Sequence, residues 1–551
     1  MILKSLQLVC AVVVMLSCTA CKKEVKPKVT TKDELYVYLD SLEERYETAC
    51  MQMELARWNM LSKSGTSDFD TPQVELLKIF SDSTARKTIG EWRNRSSSLA
   101  DKLLARRLEL WHRCFIGGII YFDPAITALR NSLEQQILNY KFKLNCDPTT
   151  IQAINTLLRE EKKQSRRRKI WLSAQPDREI VSDYLHLVKL YNEKARTFGF
   201  PNYYSLVLHL NAIDENWLLK TLNSLEEHTH LEFEKSLFLA KKKLRIKEFG
   251  ICDMEFIRPN VAVLPDKYFS RDSIFTLIHR FEKGIGFDVD SLPIKESVHN
   301  ISPDLACCFL SIPNDVRVLI KSRQGAQFYR SCLHEYGSAL SAVHTNVDYP
   351  ILKGYNLIQG AFSQVYEKGI AQMHEEFLDD SLWLAAFTKA KEKEIKSTLN
   401  KRALPELFKL RIALKEFFTE YEIYKNPDQD IASLDRVMFE KYLLGDSGKN
   451  GASPFASLST FVLSPCSGYK NILSMMIAAQ LHEALTSKFG NERISNPQVA
   501  VWMIEHLYKT GETVEWFDRI RSATGKSLEP GAFLRHLGIE QTDLITKKSK
   551  E

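Results

Sequence analysis

Apolar residues recur at alternating steps of four and three from Leu35 through Leu39, Leu42, Tyr46, Ala49 and Met53 to Ala56. That spacing predicts an amphipathic helix of several turns. Thr31 and Glu34 form a capping box at its start, and a Ser/Gly/Thr/Asp stretch at 62–71 ends it. The same periodicity predicts helices over 73–82, 86–115, 124–144, 149–174 and 179–198, the last closed by Gly199 with Pro201 behind it. Further helical patterning covers 214–246, 272–283, 326–345, 363–378, 381–400, 404–424, 431–443, 468–488, 496–509 and 530–537. The stretch 297–325 differs: Cys307 to Pro313 and Val316 to Ile320 are short β-prone runs around Asn314-Asp315, which predicts a small hairpin.

Composition supports this helical reading. Gly and Pro together number 40 of 551 residues, well under average usage, which favours long helices with few tight turns. The formal charge of +6 is unevenly spread: residues 1–32 carry six lysines and one acid, a share of +5, and leave +1 for the rest. A body that close to neutral is not a nucleic-acid binder. The run Arg166-Arg167-Arg168-Lys169 follows Glu160 and Glu161, which is the mixed charge of a solvated helix face.

The N-terminus has the layout of an export signal. Lys4 precedes a short apolar stretch, Leu6 to Leu16, followed by Ser17-Cys18-Thr19-Ala20-Cys21 and Lys22-Lys23. This looks like a bacterial lipoprotein signal with Cys21 as the lipidated residue and Cys18 as the alternative. The division expected is a signal peptide over 1–20, a tether over 21–31 and one domain over 32–551. The location expected is the bacterial envelope, facing the periplasm, with lipid as the only anchor. The eight cysteines beyond the signal region show no CxxC, so structural zinc is not expected from them, and disulfide pairing stays open.

The candidate chemistry lies at His334-Glu335-Tyr336-Gly337-Ser338. In a zinc-peptidase H-E-x-x-H helix, two histidines four residues apart hold the metal, and the glutamate activates its water. Here Ser338 stands at the second histidine. A serine hydroxyl is neither charged nor soft and is a poor zinc ligand. The other His-Glu pairs, at His374 and His482, have Leu378 and Thr486 four places on, so the chain holds no intact motif.

Four further segments align with this one in order. They are WLSAQ with KLYNEKARTFGFPNYYSL, the strand-like stretch from Cys308 to Lys321, GAFSQVYEKG, and SPCSGYKNILSMMIAAQLHEAL. In this order the chain resembles the angiotensin-converting-enzyme family of zinc dipeptidyl carboxypeptidases, over about residues 32 to 540. The resemblance implies an all-α, gluzincin-type metallopeptidase fold. Two helical lobes would enclose a deep peptide cleft, with the small β-hairpin beside the metal helix. It implies His334 and Glu367 as metal ligands and Glu335 as the general base. It also implies a damaged site. Ser338 replaces the second ligand, Ala371 an acidic residue orienting a histidine ligand, and Asn471 the tyrosine that stabilises the oxyanion. Phe309 and Phe461 replace substrate-gripping histidines. Ser459 replaces the lysine for a terminal carboxylate, and Lys470 the arginine linked to a chloride site.

Catalytic zinc normally has three protein ligands plus water, and loss of even an orienting partner costs about 10–100-fold in affinity or activity. Zinc is therefore expected to be weak or absent. The leading expectation is a lipid-anchored pseudopeptidase that binds peptides or a protein partner in its cleft. The alternatives are a working peptidyl-dipeptidase completed by His344, His374 or a water, and a structural envelope protein with a filled cleft. His482, with apolar neighbours, reads as a core histidine.

Overall fold

The computed structural model describes residues 29–539, apart from 97–99, 145–146, 174–177, 258–263, 300–305, 322–324, 356, 359, 361 and 447–454. The signal region with Cys18 and Cys21 lies outside the described residues.

The first helix, Lys32–Ser62, starts as its sequence dictates: Thr31 accepts the Glu34 N–H, and the Glu34 carboxylate accepts the Thr31 N–H at 3.0 Å. Its buried side includes Leu35, Leu39, Leu42, Tyr46, Ala49 and Ala56, the stripe that the periodicity marks. Three predicted helices are each divided in two. The 86–115 stretch becomes Ser83–Asn94 and Lys102–Tyr121, because Asp101 accepts the Leu104 N–H and caps a new helix. Likewise 149–174 splits into Ile151–Glu160 and Gln164–Ser173, and 381–400 into Ser381–Phe387 and Glu392–Leu399.

The expected hairpin is present: Ala306–Ser311 pairs antiparallel with Asp315–Lys321, Cys307 opposite Val318 and Phe309 opposite Val316. The hairpin is not alone. Ile294–His299 adds parallel to Asp315–Lys321 on its far side, so the sheet has three strands and Ala306–Ser311 forms one edge. A second, two-stranded sheet, Phe142–Leu144 with Asp147–Thr149, replaces the predicted ends of two helices. The architecture is the all-α one expected, with this small sheet beside the His334 helix.

Two helices carry the site, Ala326–Val343 with His334 and Gln364–Glu375 with Glu367, and Gly468–Phe489 packs against the second of them. Glycine sets how closely they pack. A Cβ on Gly337 would lie 2.9 Å from the His374 ring and 3.0 Å from the Ala371 Cα, and one on Gly369 would lie 2.5 Å from Ile477. Larger residues at either point would force the helices apart. The second pair of helices is also tied by polar rungs one turn apart. Lys470 donates to Gln364, Lys368 to Asn471, and Ser474 to Gln372.

The core runs through the whole helical body and encloses the sulfurs. Cys50, Cys114, Cys252, Cys307, Cys308, Cys332 and Cys466 are all buried and unpaired.

Candidate functional site

His334, Glu335 and Ser338 project from one helix into a cavity of about 200 Å³, and Glu367 reaches it from the adjacent helix. Glu54 and Arg57 of the first helix line it, as do Cys307 and Phe309 of the edge strand. Tyr355, Leu357 and Phe362 close the remaining side.

Ser338 Oγ donates a short hydrogen bond to Glu367 Oε1, so the side chains at two expected ligand positions bind each other. His334 Nδ1 lies 2.6 Å from Glu375 Oε1. Burial lowers the histidine's proton affinity, but the Glu375 hydrogen bond and charge outweigh it, and its pKa is raised. Glu375 is held below the ordinary carboxylate range despite its burial, chiefly by the His334 bond. Glu335 is pushed up to about 7 by burial; nearby His334 and Arg57 oppose that shift, and Glu367 adds to it. Glu54 is raised by burial in spite of Arg57.

The structure brings His334, Glu335, Ser338, Glu367 and Phe309 together. The other expected cleft residues do not line this cavity. Asn471 is held by Lys368, and Phe461 is buried with its ring 6.2 Å from that of Tyr184. Lys470 is buried against Gln364 and brought down to about 8 by that burial. Ser459 sits on the Phe455–Leu463 helix, away from the cavity lining. Ala371 is buried at the contact with Gly337. The orienting carboxylate expected there is supplied one turn later by Glu375. Sequence reasoning missed Glu375, Glu54 and Arg57. The His374-Glu375 pair was visible as a dipeptide, but nothing in it pointed to His334.

The substitute histidines are committed elsewhere. His344 Nδ1 lies 2.8 Å from the Leu340 carbonyl, and its ring packs on Phe287. His374 is fully buried behind Gly337, 3.3 Å from Glu282 and 3.1 Å from the Tyr508 hydroxyl. His482 packs on Phe377, with a ring nitrogen 3.8 Å from Asp380, as a core histidine does.

A catalytic zinc ion does not fit this donor set. Of the expected donors His334 and Glu367 remain, the third expected position is a hydroxyl that donates into Glu367, and among the described residues no group of three His, Cys, Asp or Glu is arranged to hold a metal.

No protein-family model matches the sequence, and no curated protein matches it. Solved structures do. An M32 carboxypeptidase from Deinococcus radiodurans R1 is 14% identical, with TM-score 0.60 over 90% of this chain and 97% of its own. Metallocarboxypeptidase 1 of Trypanosoma cruzi is 14% identical, with TM-score 0.63 over 91% and 98%. A protein assigned as oligoendopeptidase F is 13% identical, with TM-score 0.68 over 95% of both chains. At these identities the likeness defines the fold: the chain has a helical zinc-metallopeptidase fold. These neighbours are carboxypeptidases and an oligopeptidase, so the narrower likeness to the angiotensin-converting-enzyme family gains no support from them.

Proposed function

We propose that this protein is a pseudopeptidase, a metallopeptidase scaffold that binds peptide segments and has lost zinc-dependent hydrolysis. One observation carries the reading: the Ser338 hydroxyl stands where a second histidine ligand belongs and is bonded to Glu367, the expected third ligand. A metal arriving there meets His334 and one carboxylate already engaged as an acceptor. Two ligands fall short of the three that lower the pKa of a bound water and polarise a carbonyl. The cavity keeps features suited to a peptide: the backbone of an edge strand in its wall, the apolar Phe309, Leu357 and Phe362, and charges of both signs. In this proposal Cys21 carries the lipid, with Cys18 as the alternative, and the domain faces the periplasm. Loss of palmitate labelling in Cys21→Ser, but not in Cys18→Ser, checks the anchor.

One observation favours a second reading, residual hydrolysis. His334 retains an orienting carboxylate in Glu375, and Glu335 near 7 suits a general base. Peptidyl-dipeptidase specificity belongs to that reading. Metal analysis of the purified protein, paired with peptide cleavage assays, decides between the two. Substoichiometric zinc and no cleavage are expected. Stoichiometric, chelator-removable zinc, with cleavage abolished by Glu335→Gln, would replace the first reading with the second.

A further inference from the structure

We infer that Glu54 and Arg57 occupy the place of an extended peptide's backbone on the edge strand Ala306–Ser311, and that a bound peptide displaces them. The inference rests on the peptide-binding reading above and names how that binding is gated.

In an antiparallel pair, alternate residues of a strand point their N–H and C=O toward the same neighbour. Among the described residues, Ala306–Ser311 has a neighbouring strand on one side only. Its other edge, the one facing the cavity, carries the backbone groups of Cys307 and Phe309. Such an edge is a template for an added strand, and peptide recognition by strand addition uses these groups. Here side chains of the first helix take two of these four groups. Glu54 Oε2 accepts the Phe309 N–H at 3.2 Å. Arg57 Nη1 donates to the Cys307 carbonyl at 3.4 Å. The Glu335 carboxylate faces the same stretch, and the Cys307 amide works to hold its pKa down.

A pairing peptide would present the same pattern. One residue opposite Cys307 would offer an N–H and a C=O, and the residue two places along would offer a C=O to Phe309. Arg57 supplies the donor to Cys307, and Glu54 supplies the acceptor for Phe309. Arg57 and Glu54 are also 3.3 Å apart, so one helix contributes a self-paired unit that can leave together. Arg57 is 44% exposed, and its guanidinium therefore has water to move into. Glu335 is fixed on the His334 helix and would remain beside the incoming chain.

A purely protective role, blunting an edge against aggregation, has the same geometry. Peptide affinity separates the two. The test probes the full-length protein and its Glu54→Ala/Arg57→Ala variant on an array of nonapeptides tiling reduced casein. Each peptide stands beside two twins, N-methylated at its odd or at its even backbone amides. The variant is expected to bind unmethylated peptides at least about ten-fold tighter than the unmodified protein, and to lose that gain on one twin. Glu54→Gln, which keeps an acceptor for Phe309, is expected to gain little. No gain in the double variant, or an equal gain on both twins, overturns the inference and leaves peptide binding standing. No binding by either protein to any peptide overturns both. If the double variant does not fold, the unmodified protein gives the answer: a bound array peptide must raise the phenylglyoxal reactivity of Arg57, and unchanged reactivity overturns the displacement.

Discussion

His334 is gripped through its Nδ1 by Glu375, 2.6 Å away and two helical turns beyond Glu367. The imidazole is therefore oriented from outside the cavity that it lines. The hydrogen bond and the charge pair stabilise the fold whether or not a metal is bound.

That pair sets a pH dependence. The His334 pKa is raised above its ordinary 6.5 in the folded state, so its contribution is complete below that value and is lost as pH rises through the folded pKa. Glu375→Gln is expected to cost about 1–2 kcal/mol more at pH 6 than at pH 9 in urea unfolding. Equal losses at both pH values would mean that His334 is not charged by Glu375.

Glu335 works in the opposite sense. A carboxyl pushed up to about 7 makes its ionised form a burden on the folded state. The cost is absent below the ordinary carboxylate value of 4.5, grows as pH rises and is complete above about 7. Glu335→Gln should therefore be more stable than the unmodified protein at pH 8, by about 1–3 kcal/mol, and no more stable at pH 4.5. Urea titrations at the two pH values check the difference.

Restoring the missing imidazole tests the ligand assignment. Ser338→His should take up zinc at one equivalent by calorimetry, with the unmodified protein taking up far less, and a further Glu367→Gln change should reverse the gain. If Ser338→His leaves uptake unchanged, Glu367 is not placed as a ligand.

Glycine at the helix contact is open to a paired comparison. Gly337→Ala drives a methyl to within 2.9 Å of the His374 ring and should destabilise by about 1–3 kcal/mol. Gly90→Ala, on a helix with nothing within 4 Å of the new carbon, should stabilise by about 0.5–1 kcal/mol. Matched effects of one sign would show that contact distance is not what separates the two sites.

The sequence was most legible where the physics is local. The Thr31–Glu34 cap, the apolar stripe of the first helix and the bounds of Ile431–Leu443 follow from residues a few places apart. The hairpin was readable because its β-prone runs flank a turn. Ile294–His299 was not: IKESVH is mostly polar, and its partner Asp315–Lys321 lies beyond the intervening strand. Helix breaks at Asp101 escaped a periodicity that counts apolar residues and passes over caps. In the site, His334, Glu335 and Ser338 were found by motif spacing and Glu367 through the family resemblance, and the cavity does gather them. Phe461, Ser459, Lys470 and Asn471 were carried over by position alone, and position does not fix where a side chain turns. Glu54 and Arg57 meet Phe309 and Cys307 across some 250 residues of sequence, a pairing with no local signature.

Seven sealed sulfurs make the molecule its own reporter. Burial raises the thiols of Cys50, Cys114, Cys307 and Cys466, so none of these four offers maleimide a ready thiolate while the helices stay closed. Each adduct would record an opening of the interior, and the order in which the seven are labelled would show which helices part first.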